Sequence, residues 1–389
     1  MRSSQLLSFI AINVGVTYSL AYPRDSQHRQ NRAAYFQDNG SAGNSIVALQ
    51  ISSSDGTLSN PVRTSTGGEG LAGLLAISQD SVVVDDHYLF TVNAGDDTFS
   101  LFTISGDDPE HPKLAGKPLP TLGQTPVSVA YSPELQTACV LNSGSTAGIS
   151  CFSISPTAPH PREVSAPLPK SSSTPPPRPL VIGADITFNP SSTALFATIA
   201  NGTQAGTIYA YPIKNGHIST TPVISSFPTL SFTFSLNFLD DSDTHLLVTN
   251  PHLNSSGAAF VSVSYPSLEI TLAKTITIPG QTASCWAAYA PQFDTVYVMD
   301  AARPKITALN PETGDVKGQV SFPAAAAGGL DSRVDRDWLY MLTSDSNDPK
   351  INVFEIVGGT ELLKQVQSLD IFQQVGKIPD LMGMAIWPN

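Results

Sequence analysis

The stretch LFTVNAGDDTFSLFTIS, residues 89–105, holds two alternating apolar runs around an Asn/Asp/Gly turn, and the same phrase returns along the chain. Its counterparts are AAYFQDNGSAGNSIVALQIS at 33–52, TACVLNSGSTAGISCFSIS at 137–155 and ALFATIANGTQAGTIYAYPI at 194–213. HLLVTNPHLNSSGAAFVSVS at 245–264, TVYVMDAARPKITALNP at 295–311 and WLYMLTSDSNDPKINVFEI at 338–356 complete the set. Seven copies recurring about every 50 residues match the length of a four-stranded blade. A single blade cannot bury its own faces, so the blades must stack around a channel. The 31 prolines and 28 glycines interrupt any long helical pattern. The sequence therefore predicts an all-β, seven-bladed β-propeller spanning 33–389. Its last strand, within LMGMAIWPN at 381–389, is expected to pair with the N-terminal blade and remove the open edge. The Pro-rich segment 156–179 reads as an exposed interblade loop, because the repeats cross it unchanged.

Residues 1–21 read as a secretory signal peptide: one arginine, an apolar run from Leu6 to Val16, then small residues near Ser19 and Ala21. A variable polar segment, 22–32, follows. Sequons at Asn39, Asn201 and Asn254 suggest glycosylation on turns. Of the three cysteines, Cys139 and Cys151 flank a turn and are expected to bridge, leaving Cys285 over. No cysteine or histidine spacing suits a metal, and no cofactor is expected. A net charge of -12 argues against nucleic acid or an anionic membrane as partner. Small-molecule substrates remain; the oligomeric state is open.

Propellers commonly present ligands to loops leading into the innermost strands. Those strands are expected at 71–79, 125–133, 184–190, 232–240, 284–291 and 326–334. The run Gly67-Gly68-Glu69-Gly70 permits close backbone approach and sets one carboxylate at the channel mouth. Gln124, Arg178 and Asp185 occupy comparable positions, and Phe232, Gln281 and Trp286 add aromatic surface and an amide. Each also has a plain structural alternative: a turn, a surface loop, or interblade packing. His87, beside Asp85, Asp86 and Tyr88, is explained as well by a solvated blade edge as by chemistry.

AAYFQDNGSAGNSIVALQISSSDGTLS (33–59) followed by TSTGGEG (64–70), ACVLNSGSTAGISCF (138–152) and GMAIWP (383–388) resemble secreted fungal 3-carboxymuconate-cyclase-like proteins, relatives of the lactonase-type propellers. The resemblance implies one of two chemistries. One is lactonisation of a carboxylated muconate. The other is the hetero-Diels–Alder coupling of a tropolone o-quinone methide to a humulene-type sesquiterpene in fungal secondary metabolism. A non-catalytic secreted glycoprotein or antigen is the third possibility. The apolar character of the expected channel mouth tilts the sequence reading toward the cycloaddition, which needs orientation and a few donors rather than a nucleophile. In that reading Glu69 or Asp185 assists dehydration. Gln124, Arg178 or Gln281 bonds the tropolone oxygen, and Trp286 and Phe232 shape an apolar pocket.

Overall fold

The computed structural model describes residues 31–72, 78–154, 160–166, 181–201, 205–252, 256–323, 328–345, 348–359, 361–372 and 381–388. The signal segment, Arg178 and Asn254 lie outside them, as does the side chain of Asn201.

Seven antiparallel sheets follow one another around a ring. The repeated phrase is the second and third strand of each blade; in blade two these are Tyr88–Asn93 and Thr98–Ser105. The innermost strands of blades two to seven are Val82–Asp85, Pro126–Ser132, Val181–Phe188, Leu236–Phe238, Ser284–Ala290 and Gly329–Asp335. Blade one takes its innermost strand, Met382–Trp387, from the C-terminus; it pairs antiparallel with Ala33–Gln37. Both chain ends thus share one sheet, and the edge is closed as the sequence implied.

Alternation puts one side chain in two between neighbouring blades. Phe99 of blade two meets Phe152 of blade three at a ring separation of 4.5 Å. Tyr35 and Trp387 of blade one pack with Val82 and Phe102 of blade two. Such clusters recur between successive blades, and truncating one of these aromatics to alanine is expected to cost about 3–5 kcal/mol.

Two expectations are corrected. The Pro-rich 156–179 is not all loop, because His160–Ala166 forms the outermost strand of blade three. The innermost strand of blade two is Val82–Asp85 rather than 71–79, of which 73–77 lie outside the described residues.

The predicted disulfide is present, with Cys139 directly opposite Cys151 on adjacent strands of blade three.

Candidate functional site

The segment Ser78–Asp80, freed from sheet pairing, runs inside the ring as a plug. Ser78 Oγ donates to the Val127 carbonyl of blade three at 2.6 Å, and the Gln79 amide to Ala184 O of blade four at 3.1 Å. Gln79 Nε2 reaches Leu236 O of blade five at 3.4 Å, and Trp286 Nε1 of blade six donates to Ser78 O at 3.1 Å. The guanidinium of Arg333, in blade seven, donates to the Asp80 carboxylate. Five blades therefore grip three residues. Inner strands slip register beside Val127, Ala184 and Asp331; such bulges free backbone groups from the ladder.

At the end where the chain leads into each inner strand, the expected site residues are occupied structurally. Glu69 is exposed, and its carbonyl accepts from Gly95 N at 2.9 Å. Gly68 and Gly70 are required by contact rather than by a ligand. A Cβ would fall 2.5 Å from Asn93 Nδ2 at Gly68, and 2.2 Å from the Asn39 backbone at Gly70. Gln124 binds Ser145 Oγ and the Thr146 amide through Oε1, stapling its own loop. Gln281 Nε2 donates to Val298 O and Thr307 Oγ1 at 3.0 and 2.8 Å, buried within blade six. Phe232 is half-buried, its amide held by Asn250 Oδ1 at 3.1 Å. Trp286 is 2% exposed against Phe234 and the plug, so it lines no mouth. These residues are not brought together. The sequon at Asn39 is corrected too: the side chain is fully buried, and both ends of its amide pair with the Leu71 backbone, leaving no room for a glycan.

Among the described residues, hollows open at the opposite, exit end of the channel. Three adjoining hollows of about 330, 410 and 370 Å³ share Asp80 in their lining. Their size is that of a small-ligand site. One flank carries Arg333, Arg336 and Tyr289; the other carries Asp85, Tyr131 and Glu134. Tyr289 donates its hydroxyl to Asp240. Desolvation lowers Arg333 to about 10, so it stays a cation at neutral pH. Partial burial, then the neighbouring Asp86 charge, raise the Asp85 carboxyl above the usual carboxylate range. Burial pushes Tyr131 up to about 12. Arg333 thus lines two of the hollows and Asp85 the third, with Asp80 common to all three.

Above the cavity, Asp185 is fully buried, accepting from Leu236 N at 2.7 Å and Ser128 Oγ at 3.5 Å. Burial pushes it up to about 7. Asp331 is also buried, and burial together with the Asp185 charge raises it well above the ordinary range. Sequence reading singled out Asp185 but placed it at the mouth; Asp331, Gln79 and Asp80 went unremarked. The clue was present: 71–84 contains two apolar stretches where one inner strand needs only one.

No protein-family model matches the chain, and no curated protein matches it. Solved structures do. A candidate 6-phosphogluconolactonase from Bacteroides fragilis is 15% identical with a TM-score of 0.65, over 93% of this chain and 99% of that one. A periplasmic gluconolactonase from Pseudomonas aeruginosa is 15% identical with a TM-score of 0.63, over 90% and 98%. A hypothetical selenium-binding protein from Sulfolobus tokodaii is 9% identical with the same TM-score, over 92% and 93%. The likeness is one of fold. It extends over nearly the whole propeller, and at these identities it assigns no chemistry.

Proposed function

We propose that the protein is a lactone-forming or lactone-opening enzyme acting on a small carboxylated substrate at the exit-end cavity. The observation that carries this reading is the Arg333 guanidinium at the cavity floor, paired with Asp80 and flanked by Arg336. Arginine suits carboxylate recognition because its planar fork donates two parallel hydrogen bonds. Asp85, in the adjoining hollow that shares Asp80, supplies the acid. In the lactonising direction a substrate carboxylate oxygen adds to an activated alkene carbon, and a proton from Asp85 goes to the neighbouring carbon. Opening of a muconolactone reverses both transfers, with ionised Asp85 taking the proton. Opening of a sugar lactone is instead hydrolysis, in which water adds to the ring carbonyl with its proton passing to ionised Asp85. The acyl C–O bond then breaks as Asp85 returns that proton to the departing hydroxyl. The gluconolactonase names of the similar folds point the same way.

The cycloaddition reading requires a mainly apolar pocket. The described hollows mix charged and phenolic side chains with apolar ones, so that reading ranks second. A chain with a hairpin disulfide suits an oxidising compartment, and we place it in the secretory pathway.

The test is turnover of 3-carboxymuconate, and of a panel of sugar lactones, by the purified mature protein. Loss of the conjugated diene, or acid release from a lactone, above a no-protein control is expected. Arg336→Gln, an exposed change at the cavity rim, should weaken that activity. No turnover of any member, with a single adduct from a hydroxymethyl tropolone and a humulene, would establish the cycloaddition instead.

A further inference from the structure

Three carboxylates, Asp80, Asp185 and Asp331, lie inside the ring, and Arg333 answers only part of their charge. Its guanidinium bonds Asp80 and approaches Asp331 Oδ1 at 3.4 Å. Asp185 has no cationic partner among the described residues; its acceptor sites take the amides of Leu236 and Ile186 and the Ser128 hydroxyl. A carboxylate charge buried this completely is unfavourable unless something compensates it.

Among the buried side-chain oxygens without a partner in the same region, beside the hydroxyls of Ser81 and Ser332, are two pure acceptors, Asp331 Oδ2 and Gln79 Oε1. Both residues are 2% exposed. The Gln79 amide cannot be turned over to relieve this, because its Nε2 faces the Leu236 carbonyl and the flip would oppose two acceptors. That same Leu236 donates its amide to Asp185, so the Gln79 amide and the Asp185 carboxylate meet one residue of blade five. The orphan Gln79 oxygen is thus held beside the blade-five residue that Asp185 also bonds. A bridging water would satisfy the orphan acceptors but would not compensate a carboxylate charge; a cation does both.

An oxygen-only set of two carboxylates and one amide carbonyl is the donor chemistry of a hard cation. Its members come from the plug, blade four and blade seven, an irregular arrangement that calcium tolerates and magnesium does not. We propose that the channel core binds one calcium-class divalent cation through Asp331, Asp185 and Gln79, riveting the plug to the blades on either side of it. This holds whether or not the exit cavity makes or opens lactones.

The test uses the full mature protein, dialysed against chelator and titrated with CaCl₂ by calorimetry, with melting followed in parallel. One equivalent per chain is expected, with a melting midpoint that falls in chelator and recovers on adding calcium but not an equal amount of magnesium. Asp331→Asn should weaken binding by more than about 100-fold, the upper end for disturbing a supporting residue alone. Should that variant fail to fold, Gln79→Met decides: it keeps the length of the side chain, removes the carbonyl, and should weaken binding at least about tenfold. A melting midpoint indifferent to chelator and calcium, with no binding heat, would overturn the proposal. So would calcium binding of undiminished affinity in Gln79→Met, which would place the ion elsewhere.

Discussion

Trp286 Nε1 donates to the Ser78 carbonyl at 3.1 Å, so a side chain of blade six fastens a segment 208 residues earlier in the chain. The indole is 2% exposed and packs edge-on against Phe234, with ring centres 5.2 Å apart. Trp286→Phe keeps the apolar contact and removes the donor, stranding a buried carbonyl. The expected loss is about 1–3 kcal/mol of unfolding free energy, read by urea denaturation. Trp286→Ala, which also opens a cavity, should cost more.

The Arg333–Asp80 pair governs the exit cavity. Arg333→Gln is expected to raise the KM of a carboxylated substrate about 10- to 100-fold, the value of a charge-assisted bond, with a smaller change in kcat. An esterified analogue should lose much less. Equal losses for acid and ester in steady-state assays would show that Arg333 does not read the carboxylate.

The Cys139–Cys151 bridge closes a short loop within one hairpin. Reduction, or replacement of both cysteines by serine, should lower stability by about 2–3 kcal/mol. Denaturation with and without reductant measures it. Cys285, the remaining thiol, is half-buried in blade six, and alkylation of the folded protein should be slow there.

Stability should fall with rising pH through Asp85. Its carboxyl is raised in the fold by partial burial and then by Asp86, so folding favours the protonated form. That contribution is complete below the ordinary value of 3.8 and is lost as pH climbs through the higher folded-state value. Tyr131, pushed up to about 12, stays protonated throughout this window. Asp85→Asn should flatten the fall in stability as pH rises from the ordinary carboxylate value of 3.8. An unchanged slope in that variant would assign the effect to other groups.

The blades were legible because their period is long and their second and third strands alternate cleanly. Their polar punctuation was legible as turns, but its purpose was not. Asn142, Asn250 and Asp300 end second strands and hold the segment entering the same blade: Asn142 Nδ2 bonds Thr121 O, Asn250 Oδ1 takes Phe232 N, and Asp300 takes Thr282 and Ala283 N. These staples use up the end of the ring where sequence reading sought a ligand. The glycines at 67–70 looked like a binding loop because close backbone approach has one signature, whether the neighbour is a substrate or Asn39. Asp80 and Arg333 escaped notice as a pair because 253 residues separate them and only ring closure makes them neighbours.

The plug precedes in the chain all five blades that hold it, and the strand that closes the ring, Met382–Trp387, comes after them all. The channel is therefore built around Ser78–Asp80, as masonry is raised around a post, and nothing has to be threaded through a finished ring. Until Met382–Trp387 emerges, the first blade waits with an unpaired strand edge. A chain without Met382–Trp387 would be left as an open arc with its post in place.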